Sequence, residues 1–330
     1  IIVMIIIKKL NVTIKTYRTH KMKILFNRLE RHEPWGGGSS FVNAMCNFLR
    51  EKDHETVFTL ESNIDLIFMI DPRPGDTGIS INEIIRYKIA NPKTKILHRI
   101  NECDARKNTV GMDSLLIQST NHVDKVIFIS EWLKEYFHKK GLNVDNSSVV
   151  YNGCDLNNFY PMVNNTKKIK LVTHHWSDNW MKGFDLYKAI DEYINNNSEF
   201  EFTYIGRYSS LYKPSNTNIV KPLYGKALGV ELRKHDIYVT ASRNEPCGMH
   251  HIEGAASGLP VIYHKDTGGI VEMCFNHGEE YETFENFLEC FNKIKVNLAA
   301  YRDKINRENL DIEVCCKIFY QHIKTLLKID

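Results

Sequence analysis

Arg243-Asn244-Glu245-Pro246-Cys247-Gly248-Met249-His250-His251-Ile252-Glu253-Gly254-Ala255-Ala256-Ser257-Gly258-Leu259-Pro260 is the stretch on which the reading of the fold rests. A short apolar run at 236–240 precedes it and another at 260–263 follows, so the segment reads as strand, loop, helix, strand. Pro246 and Gly248 suit a tight turn, and a glycine there removes a side chain where a ligand can approach the backbone. The helix expected over 249–257 opens with unpaired N–H groups and the positive end of its dipole, which together make a seat for phosphate. Glu245 stands before that helix start and Glu253 about one turn inside it, so the anion seat falls between two carboxylates. Ionised carboxylates accept paired hydrogen bonds from vicinal hydroxyls. A nucleoside diphosphate sugar carries a ribose diol, a diphosphate and a hydroxylated sugar in that order. A capping glutamate followed by a solvent-facing one would show the same spacing, because acidic residues are favoured near helix starts. Spacing alone leaves both readings open.

Outward from this segment the same alternation fills the chain. Apolar runs predict strands at 24–27, 65–70, 95–98, 125–129 and 148–151, with helices at 40–51, 81–90 and 131–139 between them. After a polar, Pro-containing stretch at 157–168, a natural linker, strands are predicted at 169–173, 200–205, 218–220, 236–240 and 260–263. Helices are expected at 183–195, 225–235, 249–257, 284–296 and 312–328. Almost continuously apolar strands separated by helices imply parallel sheets covered on both faces. The expectation is therefore two α/β, Rossmann-like domains whose sheets face across a cleft, where ligands usually sit. The boundaries read as an appendage at 1–21, an acceptor-side domain at 22–160, a donor-binding domain at 161–310 and a closing helix at 311–330. The first strand is placed at Met22-Lys23-Ile24-Leu25-Phe26, which sets the expected start of the folded part. The apolar run at 1–7 is far shorter than the roughly 20 residues a membrane span needs. It also lacks the layout of a signal peptide.

Composition narrows the function classes. In 330 residues, 43% are hydrophobic and 25% charged, ample for two cores, and the net charge of +3 gives no footprint for nucleic acid. Eight cysteines occur with no CxxC pair, which excludes zinc-ribbon spacing. Unpatterned thiols in a long chain point to a reducing compartment, so a cytoplasmic location is expected. His250-His251 followed by Glu253 lacks the spacing of the helical zinc motif, and no metal site is expected.

The segment 245–261 resembles the E-x7-E signature of the retaining family 4 glycosyltransferases of GT-B architecture. Four further motifs follow that family's order. Gly36-Gly37-Gly38 resembles its glycine-rich loop, and Asn152-Gly153-Cys154-Asp155 with Phe159 resembles its interdomain stretch. Lys182-Gly183-Phe184-Asp185 resembles its K-G-x-D, and Thr267-Gly268-Gly269 its donor-side glycine turn. The resemblance implies that Glu245 holds hydroxyls of the transferred sugar and Glu253 the ribose diol. It implies that Gly248 and Met249 offer backbone N–H groups, and that Lys182 neutralises the departing diphosphate. Gly37, Gly38, Gly268 and Gly269 would complete the donor site. His98 would lie near the transferred sugar, with Asn101, Asp104 and Arg106 along the acceptor side. One departure stands out. The family usually places an Arg shortly before that Lys, whereas 173–181 carries neither Arg nor Lys, so a histidine or Arg207 substitutes or the diphosphate is held with less charge. The implied donor is a UDP- or GDP-sugar used as substrate without a cofactor, the acceptor a glycan, lipid or protein, with peripheral membrane contact left open. A nucleotide-sugar epimerase on the same architecture and a non-catalytic nucleotide-sugar or carbohydrate-binding protein are the alternatives.

Overall fold

Every predicted apolar run in the described part of the chain becomes a strand of one of two parallel sheets. The structure is a computed structural model that describes residues 21–31, 37–75, 78–162 and 168–329; all but the last residue of the appendage at 1–21, Gly36 and the middle of the linker lie outside them. The first sheet is built from β1 (Lys23–Phe26), β2 (Glu55–Val57), β3 (Leu66–Met69), β4 (Lys95–Ile100), β5 (Lys125–Phe128) and β6 (Ser147–Val149), in the order β2-β1-β3-β4-β5-β6. The second holds β7 (Ile169–His175), β8 (Phe200–Gly206), β9 (Asn218–Val220), β10 (Ile237–Thr240), β11 (Val261–His264) and β12 (Gly278–Tyr281), in the order β12-β11-β10-β7-β8-β9. In both, the order reverses near the middle, between β1 and β3 and between β7 and β10. Ligands of open α/β sheets bind beyond the carboxyl ends of the strands at such a reversal.

Leu66–Met69 and Ile237–Thr240 are buried along their whole length, as strands covered on both faces must be. Helices shield each face. Phe41 of the helix Gly37–Arg50 meets Phe319 of the helix Ile312–Leu327 with ring centroids 4.9 Å apart, so the last helix packs on the first half of the chain. The two halves also share one apolar cluster, in which Ile100, Phe128 and Leu133 join Val172, Ile252 and Ile270. Polar ties reinforce it. Asn152 Nδ2 donates to the Cys247 carbonyl at 2.6 Å, and the Glu272 carboxylate accepts from the Glu131 and Trp132 amides at 2.8 and 2.6 Å. Glu272 thereby supplies an anion from one half to the start of the helix Glu131–Lys139 in the other.

Several elements were not expected from sequence: edge strands β2 and β12, and the helices Met112–Thr120, Ile270–Cys274 and Leu298–Asp303. The predicted helix at 40–51 begins earlier, at Gly37, so the described part of the glycine-rich segment forms a first helical turn rather than a loop. The predicted helix at 225–235 stops at Leu232.

Candidate active site

The second sheet's reversal places the ends of β7 and β10 side by side, with Ile237 paired to Leu171 and Tyr238 to Val172. β7 ends in His174 and His175, with Trp176 just after it; beyond β10 the chain runs to the helix Met249–Ala256. Glu245 sits in that connection. Its amide donates to the Thr267 carbonyl at 3.0 Å, and its own carbonyl accepts from the Gly269 amide at 2.9 Å. Gly268, at φ +81°, makes this fit possible: a Cβ there would stand 2.7 Å from the Glu245 oxygen. Gly268 and Gly269, expected to touch donor, lie outside the residues that line the cavity. They are the clamp that fixes the backbone of Glu245.

Glu245 is only 3% exposed and carries a cation on each carboxylate oxygen. Lys182 Nζ lies 2.5 Å from Oε2, and Arg106 Nε lies 3.1 Å from Oε1 as an ion pair rather than an aligned hydrogen bond. Burial pushes the Glu245 carboxyl up, but Arg106 and Lys182 outweigh it and hold the pKa down to about 2. Burial pulls Lys182 below its ordinary value, with Glu245 opposing the shift. Lys182 owes its position to the short turn Trp180–Lys182, whose start is capped by Asn179 accepting from the Met181 amide at 2.9 Å. The next residue, Gly183, has φ +83° and packs so closely that an added Cβ would meet Ala241 at 2.2 Å. Arg106 comes from the other half of the molecule, in the segment after β4, and also pairs with Glu102 at 3.0 Å.

Glu253 faces the same cleft from within the helix. Its Oε2 lies 2.8 Å from His174 Nε2, and His174 Nδ1 lies 3.1 Å from the Tyr238 hydroxyl. Gly248 and Met249 open the helix between the two glutamates, so the order carboxylate, helix start, carboxylate is realised along one wall. The cavity measures about 1070 Å³, and Gly37, Gly38 and Asn101 face it from the first half of the chain. Gly37 approaches Met249 so closely that a Cβ would reach its Cγ at 2.4 Å, bringing the two helix starts together. Arg207 borders the cavity, half-exposed, paired with Asp178 at 3.2 Å and lying over the Trp176 ring at 5.6 Å.

Two residues expected on the acceptor side lie outside the cavity lining. His98 is fully buried on β4, outside the cavity lining, with Nδ1 3.3 Å from the Ser119 hydroxyl; burial pushes its pKa down to about 3. Asp104 accepts from the Met112 and Asp113 amides at 3.1 and 2.9 Å, so it caps the helix Met112–Thr120 instead of facing the cleft. Arg106, expected beside the acceptor, lines the cavity and also grips Glu245. His174 is the residue whose role the sequence did not fix. Its position after the first strand of the second half, where the family's Arg was expected, was the available signal. His250 donates to or accepts from the Thr240 hydroxyl at 2.9 Å, and among the described residues neither ring nitrogen of the buried His251 finds a hydrogen-bond partner.

The sequence matches no protein-family profile and no curated protein. The fold does match solved structures. Sucrose-phosphate synthase from Thermosynechococcus elongatus superposes with a TM-score of 0.70 at 13% identity, covering 93% of this chain and 100% of that one. Anabaena HepE in complex with UDP and glucose gives 0.70 at 12% identity, with the same coverage. WaaG, a glycosyltransferase of lipopolysaccharide biosynthesis, gives 0.63 at 13% identity over 92% of this chain and 99% of that one. At these identities the likeness establishes a shared fold: two parallel α/β sheets across a cleft, the GT-B architecture.

Proposed function

We propose that this protein transfers a sugar from a nucleotide-sugar donor to an acceptor hydroxyl, with retention of configuration at the anomeric carbon. The observation that carries the proposal is the placement of Glu245 and Glu253 on one cavity wall, either side of the start of the helix Met249–Ala256. Glu253, oriented by His174, takes the ribose diol. The helix start takes phosphate oxygens, and Glu245 takes hydroxyls of the sugar being moved. Lys182, beside Glu245, faces the charge that develops as the C1–O bond to the diphosphate breaks. The departing phosphate oxygen accepts the proton of the acceptor hydroxyl, whose oxygen forms the new bond to C1 on the same face. The protein's share is orientation across two domains and stabilisation of the leaving charge.

UDP is the first nucleotide to test, because HepE is solved with UDP-glucose and shares this fold. The first half of the cleft presents Arg28, Arg73 and Lys107 beside Asp71 and Glu102, a mixed polar wall suited to a hydroxylated acceptor. Buried free thiols at all eight cysteines suit a reducing compartment, and we place the enzyme in the cytoplasm. The test is a panel of UDP- and GDP-sugars read by thermal stabilisation, followed by sugar release or transfer. A ligand at 100 times its Kd adds about 2.7 kcal/mol to folding stability. Stabilisation by one nucleotide sugar, with turnover abolished in Glu245→Ala, supports the proposal. Interconversion of free nucleotide sugars would reveal an epimerase, and binding without turnover a non-catalytic protein.

A further inference from the structure

The charge supply around the leaving group is uneven, and the two halves of the molecule share it. Residues 173–181 contribute neither Arg nor Lys. The two histidines at the end of β7 do not make up the difference. His174 is engaged by Glu253. His175 is buried with its Nε2 2.8 Å from the Tyr187 hydroxyl, and burial together with Lys182 keeps it neutral. Arg207 is half-exposed and already paired with Asp178. On the second half of the chain this leaves Lys182 as the cation in direct contact with Glu245. The other cation on that carboxylate, Arg106, reaches across from the first half.

We propose that Arg106 is a catalytic residue: it supplies the second positive charge to the donor diphosphate from the opposite domain, in place of an arginine preceding Lys182. This rests on the nucleotide-sugar reading above. Arg106 and Lys182 hold the two oxygens of one carboxylate, so both stand within reach of one phosphate group beside it. Glu245 and the diphosphate compete for the same guanidinium. Hydroxyls of the bound sugar satisfy Glu245 by hydrogen bonding and release Arg106 towards the phosphates. When the C1–O bond breaks, its electron pair stays on the phosphate oxygen, and the added charge falls between Lys182 and Arg106. A cation delivered from the other domain ties leaving-group stabilisation to a closed cleft, so donor activation is weak whenever the halves part.

The experiment titrates the full chain with UDP, GDP and the corresponding monophosphates. It uses wild type, Arg106→Gln, Arg106→Lys and Glu245→Gln, with thermal melts to show each variant folded. Arg106→Gln should weaken the diphosphate that wild type binds by tenfold or more and the monophosphate by less than threefold. Arg106→Lys should recover most of the loss, as should added guanidinium with the Gln variant. Glu245→Gln removes one of the two carboxylates on Arg106 and leaves Glu102 in place, so it should bind the diphosphate at least as tightly as wild type. Unchanged diphosphate affinity in Arg106→Gln overturns the assignment, as does an equal loss for mono- and diphosphate, which would mark a purely structural arginine. Wild type that is folded and binds neither diphosphate would bring down the nucleotide-sugar reading, and this inference with it. Wild-type binding with an indifferent Arg106 removes the inference alone.

Discussion

Glu245 is held between Arg106 and Lys182 in a nearly closed wall, and removing its charge tests both chemistry and stability. Glu245→Gln should keep the fold, lower turnover by roughly a hundredfold or more as loss of one charge-aligning group does, and cost about 1–3 kcal/mol by leaving Lys182 underpaired. Steady-state kinetics and urea denaturation measure the two effects. The pH sign follows from its depressed pKa. Glu245 contributes stability above the ordinary carboxyl value of about 4.5, and that contribution is lost as pH falls towards about 2. The Gln variant should therefore lose less stability than wild type across that window. His174→Ala should raise the donor KM about five- to tenfold, the worth of one charge-assisted hydrogen bond. It should leave kcat nearly unchanged and have little effect on a 2′-deoxy donor, because the residue acts by orienting Glu253. An equal effect on both donors would remove that role. Glu245 and Glu253 were legible in sequence because one helix start fixes both, with seven residues between them. The pairing of Arg106 with Glu245 was not, since Arg106 is brought from 139 positions away by the closure of two sheets.

Among the elements, the regular strands and amphipathic helices were readable because their apolar spacing matches the period of the structure they form. The misses have physical reasons. β2 and β12 are short edge strands without a continuous apolar run; Glu55–Val57 is only half-buried. The helix Met112–Thr120 follows Gly111 at φ +100° with no local side-chain cap, and receives its cap from Asp104, eight residues earlier. The same contact explains why a polar cluster after β4 looked like an acceptor site. Asp104→Ala should cost about 0.5–2 kcal/mol, the range for a lost helix cap, and leave donor and acceptor KM unchanged; a raised acceptor KM would restore it to the site. Lys182 depends on its neighbour in the same way. Gly183→Ala forces a left-handed φ on alanine and drives its Cβ into Ala241, so a loss of about 2–4 kcal/mol is expected. Surviving protein should show a lower kcat as Lys182 shifts. Thermal melts beside activity assays separate the two consequences.

At the scale of the whole molecule, one apolar cluster crosses the cleft floor, and burying so much polar chemistry beside it sets the acid limit of the fold. His98 in the first half and His251 and His277 in the second lie in or near full burial, and burial pushes their pKa values down to about 3, 3 and 4. An unfolded histidine titrates near 6.5. Below that value the unfolded chain takes up protons that the folded chain refuses, so stability is complete above about pH 6.5 and falls as pH drops towards the folded values. Each such group gives a slope of up to about 1.4 kcal/mol per pH unit, and three acting together by pH 5 can remove a large part of the 5–15 kcal/mol typical of a folded domain. Urea midpoints should accordingly stay level from pH 8 to 7 and decline steeply below 6.5, before the carboxylates begin to titrate. His98→Asn or His277→Asn removes one of these proton sinks, so each variant should show a shallower decline than wild type whatever its offset at pH 8. The slope reports the titration and the offset the packing, which keeps the two apart. A midpoint that stays level down to pH 5 in wild type would mean that these imidazoles meet water or a hydrogen-bond partner when the two halves move. The closed cleft floor would then be only one of the arrangements the molecule adopts.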